Sequence, residues 1–222
     1  MILVVGTFLI ALATLSSAIN WPASLNEPAA TALPRLLQQR SAVILGYSSY
    51  FLSAVLMIPM ALALQAALAR QRPSLLLSVA TAFGVLAGAA KPLGIIRWLS
   101  AMPLLAQAYV DPSTSDQGRE TISVLYQMLN SYAGAIGELL GVALFGGLWA
   151  LLLGVTLLRG SQLPRWLGGL GVVVGGLSLL PLLEIAGVSI GPLLTISNAS
   201  WYLWVLATGI VLLTRRSATG TN

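Results

Sequence analysis

Six long runs of this chain are nearly free of charge and too apolar for water to be their solvent. They cover about residues 2–19, 42–69, 74–110, 120–158, 166–186 and 197–214. About 20 apolar residues cross a bilayer core, and backbone groups in hydrocarbon must bond within their own segment, so such runs are helices. Only 8% of the residues are charged and 57% are hydrophobic, against roughly 25% charged in a soluble domain. That is too little charge to cover a water-facing surface, which excludes a soluble globular domain and a disordered chain. The expected fold is all-α: one integral membrane domain over 1–222, a polytopic bundle of six transmembrane helices. Pro59 predicts a kink in the second run, and Pro92 predicts a break in the third.

The first run could instead be a cleaved signal peptide, with LSSA at 15–18 as its cleavage context, but it lacks a basic leader segment. A start other than the native one would leave the same mark. Orientation follows from the basic residues. Arg70 and Arg72, Arg159 and Arg165, and Arg215 and Arg216 fall on one side of a six-span chain, with no acid among them. The opposite side holds Arg35, Arg40 and Arg119 against Glu27, Asp111, Asp116 and Glu120. The positive-inside rule places both termini in the cytoplasm. The net charge of +5 is then a topology signal. A nucleic-acid interface would need clustered cations on a polar aromatic surface, so no nucleic-acid partner is expected. Trp21, Trp98, Trp166, Trp201, Tyr202 and Tyr109 lie near run ends and read as interfacial belts. The expected location is a cell membrane, with membrane lipid as the standing partner.

The chain has no His and no Cys. That removes imidazole relays, the Ser-His-Asp triad, thiolate nucleophiles, disulfides and iron–sulfur ligation. No cofactor and no metal site are expected. Within the runs, beyond Glu120 at the very edge of the fourth, the charged residues are Lys91, Arg97, Glu138 and Glu184. Such groups are costly in lipid, face the bundle interior and find partners. At 1.5 Å per residue all of them lie about 25–35 Å from the cytoplasmic end of their helices, which gathers them in the outer leaflet.

A polar stripe leads to Glu138. Glu120, Ser123, Gln127, Asn130, Ser131, Gly134 and Glu138 follow one another at helical steps along one face. Arg97, Ser100 and Gln107 form a second stripe. The third and fourth runs are each longer than a straight crossing needs. They predict a long helical hairpin whose outer half, 93–131, bends along the interface or folds over the bundle mouth. Residues 33–40 predict a short amphipathic helix that lies on the membrane or caps the bundle.

Two readings of the buried charges stand side by side. One is a salt-bridged lock in which Arg97 or Lys91 pairs with Glu138 and Glu184. The other is an outward-facing pocket for a small amphiphile or anion, with Lys91, Arg97, Gln127, Asn130, Tyr132, Glu138 and Glu184 as candidate ligand-binding residues. Ser48 and Ser49, between Tyr47 and Tyr50, are candidates to line the same pocket. A third reading makes Glu138 or Glu184 an intramembrane general acid. No catalytic residue is assigned. Gly84-x3-Gly88, Gly137-x3-Gly141 and Gly171-x3-Gly175 are packing faces. They fit intramolecular contact and dimerisation alike, so no homo-oligomer is predicted.

The motifs from Asn130 onward carry a family resemblance. Asn130, Gly137-Glu138-x-x-Gly141, Gly147-Leu148-Trp149, Leu158-Arg159 and Pro164-Arg165-Trp166-Leu167-Gly168-x-Leu170-Gly171, together with Arg97-Trp98, resemble the family catalogued as domain of unknown function 4386. The resemblance covers most of the chain after the first helix. It implies a six-helix integral membrane protein of bacteria or archaea and carries no activity with it.

Overall fold

The structure is a computed structural model and describes residues 1–69, 74–160, 163–188 and 193–219, without the side chains of 193–194 and 215–219. Arg70 and Arg72 lie outside the described residues, as do the side chains of Arg215 and Arg216. The chain is all-α, with six helical stretches long and apolar enough to cross a membrane.

Helix α1, Ile2–Ile19, ends at Asn20, whose φ of 57° is left-handed and whose N–H bonds back to Ser16 and Leu15. Asn tolerates this conformation better than most residues, so it stops the helix. A 3-10 turn, Ala23–Asn26, leads into α2, Ala29–Gln38. Buried Ala29, Ala32, Leu33 and Leu36 of α2 recur at steps of three and four, one apolar face of a short helix. Helix α3, Arg40–Ala69, contains Pro59, and α4, Leu75–Ile95, starts at Ser74, whose side chain accepts from the Leu77 N–H at 3.2 Å.

The third span does not break where Pro92 stands. Helix α4 runs through it to Ile95, and the break is the 3-10 turn Ile96–Trp98 that follows. Pro92 sits in the last turn, so its missing N–H costs the helix one bond near an end that neighbouring helices already hold. Helix α5, Ala101–Val110, continues the span. In the turn to α6, Asp116–Gly134, Asp111 accepts from the backbone N–H and hydroxyl of Ser113, and these bonds hold its carboxyl below the usual range.

Helix α6 passes without interruption into a π-helical stretch, Ala135–Gly146, and then into α7, Gly147–Leu158. Helix α8, Arg165–Leu179, tightens into a 3-10 stretch, Leu180–Ala186, in which Pro181 stands in the first turn. Gly187 at φ 80° closes it. Helix α9 is Leu193–Thr219.

Packing closes a ring: α1 on α3, α3 on α4, α4 on the π stretch and α7, α7 on α8, α8 on α9, and α9 back on α1. At one end α2 packs on α5 and α6, and α5 on α6, which makes a three-helix cap. The outer half of the long hairpin thus packs with the amphipathic segment of 20–41. The cap has its own core, including Leu33, Trp98, Met102 and Tyr126, beside the bundle core around Met57, Trp149, Leu153 and Trp204. Large apolar side chains stand exposed on the bundle exterior, among them Leu3, Leu62, Leu86, Val173 and Leu203. A water-borne bundle would bury such a surface, and lipid supplies the cover here.

The glycine pairs are intramolecular contacts. A Cβ on Gly84 would meet Trp149, one on Gly88 would meet Ile58, and one on Gly171 would meet Trp204. Gly94 and Gly137 face each other backbone to backbone, which sets the close approach of α4 to the π stretch.

Candidate functional site

Beneath the cap, α4, the 3-10 turn after it and the π stretch bring three charged groups together. Arg97 is 7% exposed. Its Nη1 donates to the Gly94 carbonyl at 2.7 Å and its Nε to Asn130 Oδ1 at 3.2 Å. Its Nη2 lies 3.8 Å from Glu138 Oε1. Asn130 Nδ2 donates onward to the Leu25 carbonyl at 2.8 Å, and Tyr126 Oη donates to the Glu27 carbonyl at 3.3 Å. The guanidinium therefore ties the third span to the fourth and, through Asn130, to the turn after α1.

Lys91 lies about 9 Å deeper along the same path, at 1.5 Å per residue. It is 3% exposed. Its Nζ stands 4.4 Å from the centroid of the Trp201 ring and 5.9 Å from that of Tyr202, cation–π contacts from α9. Among the described residues it has no carboxylate partner and no hydrogen-bond acceptor. Of the expected lock, in which Arg97 or Lys91 pairs with Glu138 and Glu184, one pair is present among the described residues, Arg97 with Glu138. Lys91 faces the aromatic interior. Glu184 is exposed in the 3-10 stretch after α8 and makes no ion pair among the described residues.

Two cavities share Arg97, Glu138 and Leu25 as a wall. The inner one, of about 210 Å³, is lined by Phe8, Trp21, Tyr47, Tyr50, Trp98 and Lys91 among others. Its walls are stacked against one another: Tyr47 lies parallel to Trp98 at 5.1 Å, and Trp21 meets Tyr50 edge-on at 5.7 Å. The outer one, of about 230 Å³, is polar and lined by Asn26, Asn130, Ser131 and Glu184 besides the shared wall. Three buried donors, Ser24 Oγ, Tyr47 Oη and Trp201 Nε1, have no partner among the described residues.

Of the candidates read from the sequence, Lys91, Arg97, Asn130, Glu138 and Glu184 border one or both cavities. Gln127 and Tyr132 line neither; both are exposed, Tyr132 at 70%. Tyr132 stands two positions beyond Asn130, and residues at that spacing do not share a helix face. Ser48 is exposed and Ser49 half-buried, and it is the flanking Tyr47 and Tyr50 that reach the cavity. Trp98, Trp201 and Tyr202 are interior rather than belt residues, at 5%, 3% and 5% exposure. They follow Lys91 and Arg97 inward, because a buried cation draws aromatic faces. Trp166 is exposed near a helix end, as a belt residue is.

The site sits where sequence motifs and geometry coincide: Arg97-Trp98, Asn130 and Gly137-Glu138 are among its walls. The model of one family, a domain of unknown function (DUF4386), matches residues 3–215. The chain belongs to the DUF4386 family. No curated protein matches it, and no solved structure does. In this DUF4386 member the Gly94–Gly137 contact and Gly141 beside Lys91 give those motif glycines a plain physical role, which is to bring the α4 backbone against the π stretch. No group of three or more His, Cys, Asp or Glu gathers among the described residues of this DUF4386 chain.

Proposed function

We propose that this multi-pass membrane protein binds a small amphiphile or anion in the aromatic cavity, which opens toward the outer face of a prokaryotic cytoplasmic membrane. One observation carries the reading: Lys91 is 3% exposed and, among the described residues, has no counter-anion. A cation kept in an apolar interior needs charge compensation, and the cavity beside it leaves room for a ligand to supply it. The outward orientation rests on the arginine bias, with both termini in the cytoplasm and the cap outside.

A second reading, the structural lock, is favoured by the bonds of Arg97 to Asn130, Gly94 and Glu138. The two readings divide the cations. Arg97 holds the cap to the bundle, and Lys91 serves the ligand.

The test is thermal unfolding of the purified full chain in micelles against panels of fatty acids, lysolipids and small organic anions. Wild type should be stabilised by at least one anionic amphiphile, and Lys91→Met should lose that response while still unfolding cooperatively. A wild type that responds to no member, or a Lys91→Met variant that responds equally, would overturn the reading.

A further inference from the structure

We propose that the occupant of the aromatic cavity is a hydrophobic monocarboxylate, held with its carboxylate on Lys91 Nζ and its apolar body among the aromatic walls. This rests on the binding reading above and narrows it to one ligand chemistry.

The charge count comes first. Lys91, Arg97 and Glu138 are the ionisable wall residues other than tyrosine, and Arg97 and Glu138 offset each other at 3.8 Å. One positive unit is left over. A monoanion cancels it, whereas a dianion would bring an uncompensated charge into the bundle. The geometry of the donors points the same way. Phosphate recognition favours the bidentate fork of an arginine. Here Nη1 and Nε of Arg97 already serve Gly94 and Asn130. What remains, besides Nη2 turned to Glu138 at 3.8 Å, is an ammonium, a point charge with rotatable donors that suits a single carboxylate. Tyr47 Oη, buried without a partner among the described residues, lines the same cavity and can donate to the anion.

The walls select the body. An aromatic cage ordinarily attracts cations, but this one already encloses its own, which repels a second. Apolar cavities of about 150 Å³ take a benzene ring, and this one offers about 210 Å³. A ring with a short chain or a short alkyl tail fits that volume, and a two-chain phospholipid does not.

The experiment titrates the full-length protein in nanodiscs, reading tryptophan fluorescence, because Trp21 and Trp98 line the cavity. The probes are phenylacetate to phenylbutyrate, hexanoate to decanoate, the matching neutral amides, and phenyl phosphate. At least one carboxylate should saturate, and bind at least tenfold tighter than its amide and than phenyl phosphate. Lys91→Met should bring carboxylate and amide to parity, and Tyr47→Phe should weaken the carboxylate alone. Equal binding of a carboxylate and its amide in wild type would overturn the assignment and leave the cavity reading standing. Tighter binding of phenyl phosphate would also overturn it. No saturable response to any probe would remove both, and the wild-type comparison needs no variant to fold.

Discussion

A guanidinium carries five N–H donors, and Arg97 at 7% exposure must place them without water. Asn130 does more of this than Glu138. It accepts from Nε at 3.2 Å and passes a 2.8 Å bond on to the Leu25 carbonyl. Glu138 stands 3.8 Å away with its side chain 39% exposed, so solvent screens the pair. Asn130→Ala strands a buried donor and a carbonyl and should cost about 1–3 kcal/mol. Glu138→Gln should cost less than about 1 kcal/mol, the range of screened pairs. Thermal unfolding of both variants in the same detergent checks the order, and a larger loss for Glu138→Gln would show that the ion pair holds the cap. Arg97, Asn130 and Glu138 were legible because charge and amide groups are conspicuous at helical spacing in an apolar chain. The Leu25 carbonyl was not, since every residue has one and only the fold selects it. The inward turn of Trp98, Trp201 and Tyr202 was hidden for a related reason: an aromatic near a run end has the same sequence signature whether it meets headgroups or a buried cation.

Helix α4 and the π stretch are held apart only by hydrogens where Gly94 meets Gly137. A Cβ on Gly94 would stand 2.6 Å from the Gly137 Cα and 2.8 Å from the Ala133 carbonyl oxygen, both backbone atoms that cannot swing aside. Gly94→Ala should therefore destabilise by about 1–3 kcal/mol, the cost of overpacking. Gly169 on α8 has nothing within 4 Å of the same added atom, so Gly169→Ala should be neutral or gain up to about 1 kcal/mol from helix propensity. Unfolding midpoints of the two variants in one micelle decide this, and equal losses would mean that helix propensity, not contact, governs both. The existence of each span was readable because long apolar runs admit only helices in lipid. The internal breaks were less so. Pro92 marks a weak point, but the chain turns at Ile96, where the cap begins and the turn itself stays packed on α3 through Trp98 against Tyr47. The π stretch had no signature at all: AIGELLGVALFG reads as ordinary helix, and its packing on α4 is visible only in the fold.

From Asp116 to Leu158 the fourth span runs 43 residues, about 60 Å at 1.5 Å per residue and twice a bilayer core. The excess is α6, which stands with α5 and α2 as the cap, so among the described residues one end of the bundle is covered and the other is bare. Even-numbered spans return both termini to the same side, opposite the cap. The loop sequences of the bare end, with Arg159 and Arg165 among their cations, contain no acid, whereas the cap pairs Arg35 with Glu27 at 2.8 Å and Arg119 with Asp116 at 3.4 Å. Short loops with an excess of arginine resist translocation, so the prediction is a cytoplasmic bare end and an outer cap. The chain has no cysteine, so single substitutions report their side without background. Gln117→Cys, exposed at the start of α6, should react with a membrane-impermeant maleimide in intact cells. Ser161→Cys, between the fourth and fifth spans, should react only after permeabilisation. The reverse pattern would turn the cap, and with it the polar mouth beside Arg97 and Glu138, toward the cytoplasm. Any ligand for Lys91 would then have to come from inside the cell, since the cavities open beneath the cap whichever way the bundle is inserted.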